Sequence, residues 1–284
     1  MWIVYSFIYA IFNALYLNFN ERKHYNGYLL GIIRGFGVSL FVSPLLYFTT
    51  TKLNGAYLSL LILQGILIGV YDSHIFMSSS MYGVNSTFGF MATSVLITLV
   101  LWWGIEFNDF ITLTQNPTEF LSLLFILSGI SVFYWQMMKV KIKFEAEKFL
   151  YPAVIALSVM SIATRYIALM GGKTFDGIIY YLFIACFVSG IYNLTMFKIR
   201  VKEPNNISLK LKDIVTLIII STILIGAKTI AFREAHNPSY VMSLLLTSPI
   251  LAHLFRYKRI KVSLYMFIFI LFIILLIAYS LYAS

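Results

Sequence analysis

The sequence predicts an all-α integral membrane protein, with ten transmembrane helices arranged as two inverted five-helix repeats around a central cavity. Three observations carry this expectation. Of the 284 residues, 60% are hydrophobic and 11% charged, whereas soluble domains carry about 25% charged residues. Apolar runs of about 20 residues, enough to cross a ~30 Å hydrocarbon core, recur from one end of the chain to the other. The order of features in the first half also returns in the second.

The runs place spans at 2–19, 28–49, 56–79, 85–105, 119–138, 149–170, 175–197, 213–232, 239–255 and 262–282. The first has neither a basic leader nor a small-residue cleavage site, so it reads as a retained span rather than a removed signal peptide. The second holds Arg34 between Gly31 and Gly35, a small-residue pair that lets helices approach. The third contains Gly65-Ile-Leu-Ile-Gly69-Val-Tyr71-Asp72-Ser73-His74, and a short break at Asn85-Ser86 leads into the fourth, with Thr93-Ser94. In the eighth, Ile223-Leu-Ile-Gly226 repeats Ile66-Leu-Ile-Gly69. The break Asn237-Pro238-Ser239 then leads into a ninth span with Thr247-Ser248. The chain therefore divides into a first repeat at 1–138, a connecting basic loop at 139–148 and a second repeat at 149–284. Five spans is an odd number, so the halves would lie in opposite orientations.

The net charge of +10 has a membrane explanation, because basic residues mark cytosolic loops. The loops after odd-numbered spans carry fifteen Lys/Arg and those after even-numbered spans three. This expectation puts the odd loops in the cytosol and both termini outside. Glu106, Asp109 and Glu119 would then be solvated on the outer side, and the four tryptophans, near span ends, would form interfacial belts.

Polar residues inside spans are the candidate site, since a charge at the bilayer centre costs about 2.5–3.5 kcal/mol on insertion scales. At 100° per residue, Gln64, Tyr71, His74 and Ser78 share one face of span 3, with Asp72 at its edge. Asp72 needs a partner or a wet cavity, and His74 titrates near neutral pH in its free form. Both are candidate proton-coupling groups. Arg34 could hold a carboxylate or pair with Asp72, while Arg165 and Lys228 sit four or five residues from span ends, where snorkelling is easy. Arg34, Gln64, Tyr71, Asp72, His74, Arg165 and Lys228 are the expected substrate-binding set. The histidines lack metal-ligand spacing, the single cysteine, Cys186, excludes an intrachain disulfide, and no GxxxxGK[ST] loop is present. No metal, cofactor or catalytic residue is expected.

The Arg-containing second span Tyr28-Leu-Leu-Gly-Ile-Ile-Arg34-Gly-Phe-Gly-Val-Ser resembles that of the drug/metabolite transporter superfamily, in its EamA-like ten-span branch. The tight turns at Tyr82–Ser86 and Ala235–Ser239, and Leu246-Thr-Ser-Pro-Ile250 in the ninth span, are similar as well. Span 4 departs from the pattern in having no matching proline, and the family's termini are usually cytosolic. The resemblance implies a helical bundle whose central cavity opens alternately to each side.

The function expected is a secondary active transporter, not an enzyme, moving a small polar or zwitterionic, amino-acid-like metabolite by alternating access. It would be coupled to protons or exchange a counter-substrate, as a monomer or dimer in a prokaryotic inner membrane, without a nucleic-acid partner. The alternatives are an antiporter of a larger anionic, nucleotide-like metabolite held by Arg34, Arg165 and Lys228, and an intramembrane enzyme acting on a lipid-linked substrate.

Overall fold

A backbone in hydrocarbon has no water to satisfy its N–H and C=O groups, so apolar runs of this length close their hydrogen bonds internally as helices. The computed structural model describes residues 1–88, 91–137, 144–201, 209–257 and 264–282. Every regular element among them is helical: α1 (Trp2–Lys23), α2 (Gly27–Val42) with a 3₁₀ extension (Ser43–Phe48), α3 (Gly55–Phe88), α4 (Met91–Ile105), α5 (Phe107–Gln115), α6 (Pro117–Met137) and α7 (Phe144–Met170). These are followed by α8 (Thr174–Tyr180), a π turn (Tyr181–Ala185), α9 (Cys186–Arg200), α10 (Leu211–Glu234), α11 (Pro238–Leu245), α12 (Ser248–Tyr257) and α13 (Leu264–Tyr282).

Among the described residues nine helices, some continuing through a 3₁₀ or π turn, are long and apolar enough to cross a membrane. Counting the bent pair α4–α5 makes ten. Nine or ten such helices make this a multi-pass membrane architecture, against the ten spans expected. The segments 138–143, 202–208 and 258–263, and with them Lys139, Lys141, Lys143, Lys202, Lys258, Arg259 and Lys261 of the charge count, lie outside the described residues.

Local chemistry sets the breaks. The Asn26 side chain accepts from the N–H groups of Tyr28 and Leu29, capping α2. Gly83, at φ 81° and ψ 162°, interrupts α3, and only a residue without a Cβ adopts that conformation readily. Ser78 and Thr87, whose hydroxyls are 2.9 Å apart, clasp the two sides of the break. Asn237 caps α11 through Ser239, with Pro238 supplying the fixed φ of a first helical residue. After Ile105 the chain turns by 99° into α5, which has no buried residue and so lies along the end of the bundle.

The bundle packs α3 on α7, α1 on α10, α2 on α9 and α6 on α13. Further contacts join α3 to α9, α2 to α10, α1 to α3, α7 to α10, α4 to α7, α1 to α11 and α12, and α4 to α11. Small residues form the closest seam: a Cβ on Gly35 would lie 2.5 Å from the Gly190 Cα, so α2 and α9 meet backbone to backbone. Near the start of the α8–α9 span, Asp176 ties the α2–α3 link to α8. Its Oδ2 accepts from the N–H and hydroxyl of both Thr50 and Thr51, at 2.8–3.1 Å.

Candidate functional site

Helices α1, α2, α3, α7, α10 and the π turn enclose a cavity of about 20 Å³, room for one water molecule. Its wall is polar. Arg34 on α2 and Asp72 on α3, 4% and 1% exposed, form an ion pair through Nη1 and Oδ2. The Arg34 guanidinium also lies 5.4 Å from the centre of the Tyr16 ring, a cation–π contact that offsets part of its desolvation. Opposite this pair, the Lys228 Nζ on α10 donates to the Tyr181 hydroxyl at 3.1 Å and sits 5.6 Å and 5.9 Å from the Tyr181 and Phe232 rings. Lys228 is 2% exposed and makes no ion pair among the described residues.

The Tyr181 hydroxyl is the hub that links this cation to the expected polar arc. It accepts from Gln64 Nε2, which also donates to Thr164 Oγ1 at 3.1 Å. Tyr181 opens the π turn, a form of backbone irregularity that often marks functional positions. Three polar atoms of the wall, the Tyr16 hydroxyl, Arg34 Nε and the Tyr71 hydroxyl, are buried without a hydrogen-bond partner.

Of the expected set, Arg34, Tyr71, Asp72 and Lys228 line the cavity, and Gln64 reaches it through Tyr181. His74, expected on the same face of the helix, is not among the residues that line this cavity. Its ring packs 5.1 Å from that of Phe149, and Nδ1 contacts the Val70 carbonyl at 2.8 Å. Arg165 also stands apart from Arg34 and Lys228. Its Nη1 donates to the Phe232 and Ala235 carbonyls at the end of α10, over the Trp102 ring. Reciprocally, Arg233 of α10 donates to Ala168 and Gly172 at the end of α7, at 2.7 and 2.8 Å. Each arginine thus satisfies carbonyls that its neighbour's helix end leaves without partners.

The α1 residues of the wall, Tyr9, Asn13 and Tyr16, escaped the sequence reading, which treated span 1 as apolar. A signal was present: Tyr9, Asn13, Tyr16 and Asn20 are spaced 4, 3 and 4 apart, one face of a helix. Asn20 Nδ2 donates to the Phe76 carbonyl at 2.8 Å, fixing that face against α3.

A second, larger cavity of about 400 Å³ lies at the α4–α5 end of the bundle, between Trp103, Asp109, Glu119, His236, Tyr240 and Tyr279. Asp109 and Glu119, expected as solvated loop carboxylates, border this vestibule.

No protein-family model matches the chain, and no curated protein matches it.

Proposed function

We propose that the protein is a secondary transporter that carries a small polar organic solute across the membrane by alternating access. Within that class we assign it to the EamA-like branch of the drug/metabolite transporters, on the resemblance of its second, ninth and hairpin segments. The observation that carries the reading is a small cavity, lined by buried charged side chains, within an apolar bundle. Arg34, Asp72 and Lys228 meet there from three helices, with room for about one water. A helix anchor gains nothing from three buried charges, and each is costly in hydrocarbon unless a pathway or a ligand uses it.

Helix pairing supports two related halves. Exchanging each span with its counterpart five spans later turns α3–α7 into α10–α1, α3–α9 into α10–α2, and α4–α7 into the α11/α12–α1 contact. The pairs α2–α9, α6–α13 and α4–α11 map onto themselves. An inverted repeat of this kind, with the site at its interface, allows the same chamber to open to either side. The nucleotide-antiporter alternative is not favoured, because Arg165 is held by the α10 terminus rather than beside Arg34 and Lys228.

The test is a melting-temperature screen of the purified protein in detergent against amino acids, organic acids, amines and nucleotides, for wild type and Asp72→Asn. Solutes that raise the melting temperature would then be followed by uptake into proteoliposomes. A transported solute stabilises the folded state in proportion to its concentration and accumulates in the vesicles. If no solute in any class does either, the reading is wrong and the chamber is only structural.

A further inference from the structure

The charges facing the central chamber do not cancel. Arg34 and Asp72 neutralise one another as an ion pair. That leaves Lys228, whose contacts are a neutral hydroxyl and two ring faces. An ammonium buried in a bilayer is costly without an anion beside it. The unpartnered wall atoms, Arg34 Nε and the Tyr71 and Tyr16 hydroxyls, can each donate a hydrogen bond. The chamber therefore offers a lysine with no ion-pair partner among the described residues and unused donors, while the Asp72 carboxylate is already engaged by Arg34.

We infer that Lys228, with the Tyr71 hydroxyl and Arg34 Nε, forms a subsite for a carboxylate, and that the preferred solute is a monocarboxylate with no ammonium group of its own. This deepens the transporter reading and rests on it. A zwitterion would bring an ammonium whose acceptor, Asp72, is held by Arg34. It binds only if that ion pair opens. A phosphate dianion would leave a surplus negative charge in the chamber, because Arg165 is turned to α10. Lys228 takes the carboxylate as a point charge, and the Tyr181 hydroxyl, which accepts from Gln64, keeps the ammonium aimed at the chamber. The chamber holds only about one water, so the carboxylate enters only when the helices around it part.

Matched probes separate the charges. One set is propionate, L-alanine, L-alaninamide and propionamide. The other is 3-phenylpropionate, L-phenylalanine, its amide and 3-phenylpropionamide. Melting temperature is followed against probe concentration for wild type, Lys228→Arg and Lys228→Met. A monocarboxylate is expected to bind wild type at least about 10-fold more tightly than the matched zwitterion, with no response to either amide. Lys228→Arg should bind within several-fold of wild type, and Lys228→Met should lose at least about 30-fold. If Lys228→Met does not fold, the order of the probes on wild type decides. Equal or tighter binding of the zwitterion, or binding of an amide alone, overturns the carboxylate subsite and leaves the transporter standing. Should both matched sets and the wider screen leave the melting temperature unmoved, the transporter reading falls as well.

Discussion

Arg34 and Asp72, 38 residues apart in sequence and on different helices, close an ion pair with almost no exposure on either side. Removing one partner of a buried pair strands a charge, at a cost of about 3–5 kcal/mol, whereas removing both costs far less. We expect Arg34→Met and Asp72→Leu each to lower thermal stability severely. The double variant should recover much of the loss, read by circular dichroism in detergent. Additive losses would show that the two residues act separately.

The seam between α2 and α9 admits no methyl group at Gly35, whose Cβ would strike the Gly190 backbone. Gly35→Ala should therefore destabilise by about 1–3 kcal/mol, as overpacking does. At Gly104, which has nothing within 4 Å of the same position, alanine should stay within about 0.5 kcal/mol of wild type. Denaturant midpoints compare the two, and equal effects would contradict the seam.

Because His74 faces Phe149 rather than the chamber, replacing it by phenylalanine should leave solute-induced stabilisation and its pH profile unchanged. Loss of the response in a folded His74→Phe protein would return His74 to the site as a coupling group.

The crossed caps of Arg165 and Arg233 each involve a charged donor on backbone carbonyls, a contact worth about 1.5–3 kcal/mol. Alanine at either position should lower stability by roughly that amount while preserving the order of solute affinities. A changed order after Arg165→Ala would place that arginine in the solute's path.

Cys186 is fully buried between the chamber and the α2 seam. A thiol reacts only where reagent reaches it. A maleimide should therefore modify the native protein slowly and the heated protein fully, which makes this residue a built-in reporter of unfolding. Fast labelling of the native state would mean that the bundle opens to Cys186 before it melts.

The length and apolarity of the runs made the helical, multi-pass architecture legible, though not the bend after Ile105 or the π turn. Gly83 and Asn237-Pro238 interrupt the chain where no regular helix can continue. The glycine pairs Gly31/Gly35 and Gly65/Gly69 were legible as contact surfaces for the same local reason. What they would contact was not. An angular position on one helix says nothing about which neighbour it meets, and that depends on packing between segments far apart in sequence. Only the tertiary structure joined Arg34 to Asp72, turned His74 and Arg165 away, and brought Tyr16 and Tyr181 to the chamber wall. It also left Lys228 without an ion-pair partner among the described residues, a property of five helices and a π turn together that no single stretch of sequence contains.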